Sequence, residues 1–71
     1  MTTVKIGSSG AAVEKLQQWL KQLGYNVGVI DGKFGSATKV AVEAFQKDHG
    51  LTTDGIVGMV TWNALEQLIQ P

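Results

Sequence analysis

The sequence predicts an all-α fold: a compact three-helix bundle with glycine-rich turns. Three observations carry this. Apolar residues recur at helical spacing in three stretches, glycines stand at the ends of those stretches, and one turn-plus-helix pattern occurs twice. The first stretch runs from Ala11 to Leu23. Val13, Leu16, Leu20 and Leu23 fall on one helix face, which Ala12 and Trp19 widen. Ser8 or Ser9 is placed to cap its start, and Gly24 to take the left-handed conformation just past its end. The second stretch, Ser36 to Asp48, has Ala37, Val40, Ala41, Ala44 and Phe45 as its inner face. Lys39, Glu43 and Lys47 form a solvated outer face, and Gly50 is the stop. The third, Met59 to Ile69, puts Trp62, Leu65, Leu68 and Ile69 on one side. The expected core is Val13, Leu16, Leu20, Val40, Ala41, Ala44, Phe45, Trp62 and Leu65.

The last two stretches share an internal repeat. Asp31-Gly32-Lys33-Phe34-Gly35-Ser36-Ala37-Thr38 and Asp54-Gly55-Ile56-Val57-Gly58-Met59-Val60-Thr61 both read D-G-x-apolar-G-x-x-T, 23 residues apart. Glycine after aspartate permits positive φ, so the chain reverses sharply at each Asp-Gly pair. Phe34 and Val57 are expected to tuck inward. Thr38 and Thr61 then fall in a first helical turn, where backbone N–H groups lack intrahelical partners. An aspartate a few residues upstream is placed to accept from those donors or from the threonine hydroxyl. The repeat therefore reads first as a scaffold device used twice.

Composition narrows the function classes. At 71 residues the chain is expected to form one domain, residues 1–71, with a compact core. Hydrophobic residues at 44% against 17% charged place it among globular rather than disordered chains. Six lysines balance six acids and there is no arginine, which speaks against a nucleic-acid partner. The absence of cysteine excludes disulfides and thiolate metal sites, and a single histidine, His49, argues against a metal centre or a triad. No cofactor is expected. No apolar run reaches the ~20 residues of a membrane span, and the N-terminus MTTVKIG is too short and polar for a secretory signal. Glycoside hydrolysis would need two carboxylates across a cleft. Asp31 and Asp54 are explained by their turns, and Glu14, Glu43 and Glu66 lie on polar helix faces. Catalysis is not expected.

The same residues carry a family resemblance. Gly7 through Gln17, then Leu23-Gly24-Tyr25, then Asp31 to Gly35 with Thr38 are the first matching stretches. They continue through Ala41-Val42, Phe45-Gln46 and Gly50-Leu51 to Asp54–Gly58 with Thr61-Trp62 and Leu65. In this order and spacing the chain resembles the peptidoglycan-binding domain, a non-catalytic module of bacterial cell-wall hydrolases and phage lysins. The resemblance runs from about Lys5 to Leu68. It implies a three-helix bundle that holds peptidoglycan for a linked catalytic domain, as a monomer in the cell envelope, periplasmic or extracellular. A similar fold serves as the propeptide region of matrix metalloproteinases, so a propeptide-like or adaptor role on the same fold is the alternative.

Peptidoglycan offers sugar faces, peptide amides and carboxylates, which aromatic rings, side-chain amides and hydroxyls recognise beside apolar walls. Tyr25, leaving the first helix at a glycine stop, is either a ligand contact or a core-edge aromatic. Gln46 either pairs with a ligand amide or fixes the next loop. Asn63 is placed near the start of the third helix. Asp31, Gly32 and Gly35 flank the proposed site. Trp62 is expected in the core, Trp19 at its border, and His49 at a helix end where its charge suits the dipole. For an adaptor, the expected docking patch is Val27, Val29, Ile30, Val42 and Met59.

Overall fold

The computed structural model describes residues 2–69. It contains three helices, α1 (Ala11–Gln22), α2 (Ser36–Asp48) and α3 (Met59–Ile69), packed around one apolar centre. Both interhelical turns begin with the same stop. Past α1, Tyr25 N–H donates to the Leu20 carbonyl at 2.9 Å and Gly24 N–H to that of Lys21 at 3.0 Å, with Gly24 at φ +97°. Past α2, Leu51 donates to Gln46 at 2.8 Å and Gly50 to Lys47 at 3.3 Å, with Gly50 at φ +69°. This is the Schellman arrangement, in which a left-handed glycine lets two amides satisfy the last open carbonyls of the helix.

The core consists of Val13, Leu16 and Leu20 from α1, Ala41, Val42 and Phe45 from α2, and Trp62 and Leu65 from α3. Val4, Val27, Phe34 and Val57 enter it from the connecting segments. The expected inner face of α2 is therefore rotated. Val40 is 63% exposed while Val42 is fully buried, and Ala44 is half-buried. The cause is that two polar residues, Thr38 and Gln46, also face inward, which a purely apolar stripe does not register. Leu68 is likewise half in solvent. Lys39 and Glu43, expected on a solvated face, are half-buried against the second turn: a Cβ built on Gly55 would meet the Lys39 stem at 3.2 Å and Glu43 Oε2 at 3.5 Å. Burial of Val27 and Val42 also breaks up the docking patch expected for an adaptor.

Residues 2–10 cross both turns. Val4 and Val57 exchange backbone hydrogen bonds at 3.1 and 2.8 Å. Gly7 N–H donates to Phe34 O at 3.0 Å, Phe34 N–H to Ser8 O at 2.9 Å, and Gly10 N–H to Gly32 O at 2.9 Å. Trp62 Nε1–H reaches the Thr2 carbonyl at 2.8 Å. Ser8 does not cap α1; its Oγ accepts from Lys5 N–H at 3.0 Å. The N-cap of α1 is Gly10 and that of α2 is Gly35, neither with a side-chain cap.

Trp62 stacks edge-on against the half-buried Trp19, ring centres 5.8 Å apart, and Lys15 Nζ lies 5.3 Å from the Trp19 ring centre. Such T-shaped pairs favour the ring quadrupoles and order the α1–α3 contact.

Candidate functional site

The two Asp-Gly turns are each held by a buried glutamine from the preceding helix. In the first turn Gly32 N–H donates to Gln17 Oε1 at 2.9 Å. Gln17 Nε2 in turn faces Lys33 O at 3.0 Å, Thr38 Oγ1 at 3.0 Å and Asp31 Oδ1 at 3.3 Å. In the second, Gly55 N–H donates to Gln46 Oε1 at 3.0 Å. Gln46 Nε2 faces Asp54 Oδ1 and Ile56 O, both at 3.0 Å, and Thr61 Oγ1 at 3.2 Å. The N–H donor fixes which end of each amide is oxygen, so the orientation follows from the network itself. An amide buried this deeply is tolerated only because its donors and acceptor are all engaged.

The aspartates are turn residues, not helix caps. Asp31 Oδ1 accepts from Lys33 N–H and Asp54 Oδ1 from Ile56 N–H, each at 2.9 Å. This is the Asx geometry, a side chain standing in for a backbone turn. The expectation that they accept from the first helical turn or from the threonine is corrected: the glutamine takes the threonine. Hydrogen bonding holds both carboxyls below the usual carboxylate range. For Asp31 the Lys33 amide is the largest cause, followed by Gln17; for Asp54 it is the Ile56 amide, with Gln46 assisting.

Each clamp floors a shallow surface groove. The first, about 260 Å³, lies between Val27, Val29, Asp31 and Lys33 on one side and Gly35, Ser36, Ala37 and Thr38 on the other. The second, about 300 Å³, is lined at corresponding positions by Asp54, Ile56, Gly58, Met59, Val60 and Thr61, with Leu51 and Thr52 closing it. A third hollow of about 280 Å³ opens beside Tyr25, between Lys21 and Gly28.

The six residues singled out from the sequence fall in different places. Asp31 and Gly35 line the first groove, and Gln46 floors the second. Gly32 is buried beneath its turn. Gln46 is 1% exposed with its amide committed to the loop at Asp54–Ile56. Tyr25 is half-buried: its ring meets Phe45 edge-on at 5.8 Å and its hydroxyl donates to Asp48 Oδ2 at 2.8 Å. Desolvation, then the Asp48 carboxylate, raises its pKa above 10.0. Asn63 is exposed on α3 and lines neither groove. His49 is exposed and tilts over Phe45, ring centres 4.4 Å apart.

Gln17, which floors the first groove, is the residue of this arrangement that sequence reasoning misses. Its signal was present, since Leu16-Gln17 and Phe45-Gln46 each set a glutamine on the inner face of the helix before an Asp-Gly turn. Among the described residues, no group of three or more His, Cys, Asp or Glu is placed to hold a metal, and no helix is long and apolar enough to cross a membrane.

The fold is thus a small helical bundle whose duplicated turns shape shallow grooves with mixed polar and apolar walls. Residues 9–65 match the family described as "Putative peptidoglycan binding domain", and the chain belongs to that family. The domain is thus of the peptidoglycan-binding type. Over 70 residues it is 49% identical to the zinc D-Ala-D-Ala carboxypeptidase of Streptomyces albus G, covering 93% of this chain and 27% of that protein. The chain thus spans little more than a quarter of that relative's length. It superposes on the SleB N-terminal domain with a TM-score of 0.91 at 37% identity, over 94% of this chain and 92% of that one. A peptidoglycan-binding protein from Clostridioides difficile, solved in complex with glutamine hydroxamate, gives a TM-score of 0.91 at 49% identity, covering 94% and 42% of the two chains.

Proposed function

We propose that this domain, taken as residues 1–71, anchors a linked catalytic domain to the bacterial cell wall by holding peptidoglycan without cleaving it. The observation that carries this reading is the family match over residues 9–65, together with a relative that is a zinc D-Ala-D-Ala carboxypeptidase more than three times as long. The place of action is then the cell envelope, periplasmic or extracellular. The ligand contacts are assigned to the turn-flanked surface: Asp31 and Gly35 at the first groove, Tyr25 beside it and Asn63 on α3. Gly32 and Gln46 contribute by holding the turns that give the grooves their shape.

Grooves this small supply weak affinity for one repeat unit of polymer. Anchoring then comes from multiplicity, because a polymer presents many identical sites and tethering raises the local concentration of the linked enzyme. The test is co-sedimentation with purified sacculi, with the released material analysed for cleavage. Saturable retention, no released fragments and only a modest loss between low and moderate salt are expected, since the chain has zero formal net charge. Failure to sediment, alongside saturable binding to a protein partner, overturns the reading in favour of an adaptor.

A further inference from the structure

The two grooves share a floor but differ in their walls. Where the first has Lys33, Ser36 and Ala37, the second has Ile56, Met59 and Val60. Met59 is 76% and Val60 66% exposed, so this apolar surface contributes little to the core. Aspartate stands at the same place in both. At each, Oδ1 takes the internal hydrogen bonds, and among the described residues Oδ2 has no partner. Lys33 adds a Coulombic pull on Asp31, and at Asp54 the hydrogen bonds from Ile56 and Gln46 do the lowering. Lys39 and Glu43, which lie against Gly55, do not line the second groove. Among its lining residues that groove therefore presents one charged group, the Asp54 carboxylate, beside the apolar side chains of Ile56, Met59 and Val60.

We infer that the Asp54 groove is a subsite for a peptide segment bearing a free primary amine next to alanine-like methyl groups, with the amine on Asp54 and the methyls against Ile56, Met59 and Val60. This rests on the peptidoglycan reading and names which part of the polymer the second groove takes: peptide rather than glycan, and peptide whose side-chain amine is not acylated by a cross-link. An ammonium donates to the open Oδ2, and losing its charge removes both the charge-assisted hydrogen bond and the Coulombic attraction. The Asp31 groove has no such preference, because Lys33 already offsets its carboxylate. Linked to the wall through this groove, the domain would concentrate on un-cross-linked material.

The test is an amide-shift titration with acetyl-Ala-Lys-D-Ala amide, whose only charge is the side-chain amine, and with the same peptide acetylated on that amine. For the unmodified chain, shifts are expected at Leu51, Thr52 and Gly58 to Thr61, with acetylation weakening binding about fivefold at low salt and less at high salt. Asp54→Asn, which keeps the turn acceptor, and Ile56→Lys, which copies the first groove, are each expected to erase the difference between the two peptides. Equal binding of both peptides, shifts centred on Asp31 and Lys33, or no shifts from the charged peptide overturns the inference. Sacculus sedimentation of the same proteins separates the two claims: retention without amine preference sinks only the subsite, and loss of retention by the unmodified chain sinks the wall-binding reading as well.

Discussion

The side-chain amides of Gln17 and Gln46 make the same four contacts in two places: a glycine N–H, an aspartate carboxylate, a backbone carbonyl and a threonine hydroxyl. Each joins the helix before a turn to the helix after it, across the turn. The equivalence is not in the linear spacing. Fourteen residues separate Gln17 from Asp31 and eight separate Gln46 from Asp54, the difference being the longer segment around Val27–Ile30. Repetition here is of a contact set, and each copy shapes one groove.

Replacing either glutamine by leucine strands a buried glycine N–H and a threonine hydroxyl together. Gln17→Leu and Gln46→Leu should each lose about 3 kcal/mol in denaturant unfolding, from two unsatisfied groups at roughly 1–3 kcal/mol each. A loss within about ±0.5 kcal/mol, the ordinary surface range, would mean the clamp does not hold the turn.

Gly32→Ala and Gly55→Ala should both destabilise, by about 1–2 kcal/mol for forcing a side chain into the left-handed region, where the two glycines sit at φ +73° and +71°. Gly32→Ala should be the worse. Its added Cβ would press on the Gly10 carbonyl at 3.3 Å, a backbone atom, whereas at Gly55 the obstacle is the flexible Lys39 stem at 3.2 Å. Thermal melts of the pair in parallel give the ranking; the reverse order would contradict the packing of residues 2–10 over the first turn.

Val42→Ala should cost about 2 kcal/mol and Val40→Ala nothing beyond about ±0.5, since the first is fully buried and the second 63% exposed. Leu16→Ala, at a fully buried site on α1, should cost about 2–5 kcal/mol. Chemical denaturation of the three variants fixes the register of α2 relative to α1.

Stability should fall in acid through the turn aspartates. Both carboxyls have folded pKa values below 3.8, so their contribution is fully present above the unfolded carboxylate pKa and is lost as pH drops through the folded values. In the Asp31→Asn, Asp54→Asn double variant the acceptors remain but the titration does not. Melting temperatures between neutral pH and about pH 3 should therefore drop less steeply for the variant than for the parent; identical slopes would remove the turns from the acid response.

Tyr25 titrates in the opposite direction. Its folded pKa is raised above 10.0, so the stability it adds is present below that value and is lost as pH rises through the folded pKa. As the only tyrosine, it reports directly through the phenolate absorbance band. A midpoint above that of a free tyrosine is expected, and Asp48→Asn should bring it down; a midpoint at or below the free value would contradict the Asp48 contact.

Helix positions and the Asp-Gly turns were legible because both rest on short-range rules: apolar spacing, left-handed glycine, an acceptor two residues before a donor. The α2 face departs from its apolar stripe at Val40 and Val42 because Thr38 and Gln46 are polar yet buried, and hydropathy spacing counts them as solvent-facing. The six candidate site residues rest on side-chain chemistry, and chemistry alone does not separate a polar group facing ligand from one holding a turn. Gln46 and Gly32 have ligand-suited donors and acceptors but spend them inside the protein. The two grooves themselves were not foreseeable, since they arise from where two distant turns come to lie beside their helices.

The bonds from Thr2 and Val4 to Trp62 and Val57 make this helical protein topologically unlike most helical bundles. Bundles fold fast because their contacts are local in the chain. Here the segment that seals both turns has no partner for Val4 until Val57 is in place and none for Thr2 until α3 is made. The rate-limiting event should therefore be a long-range closure rather than helix formation, slower than the helix content suggests. Mechanically the same bonds work in reverse: a pull on residues 2–10 peels away the strap before any helix is loaded, so a tether at that end would open the turns first, and with them both grooves.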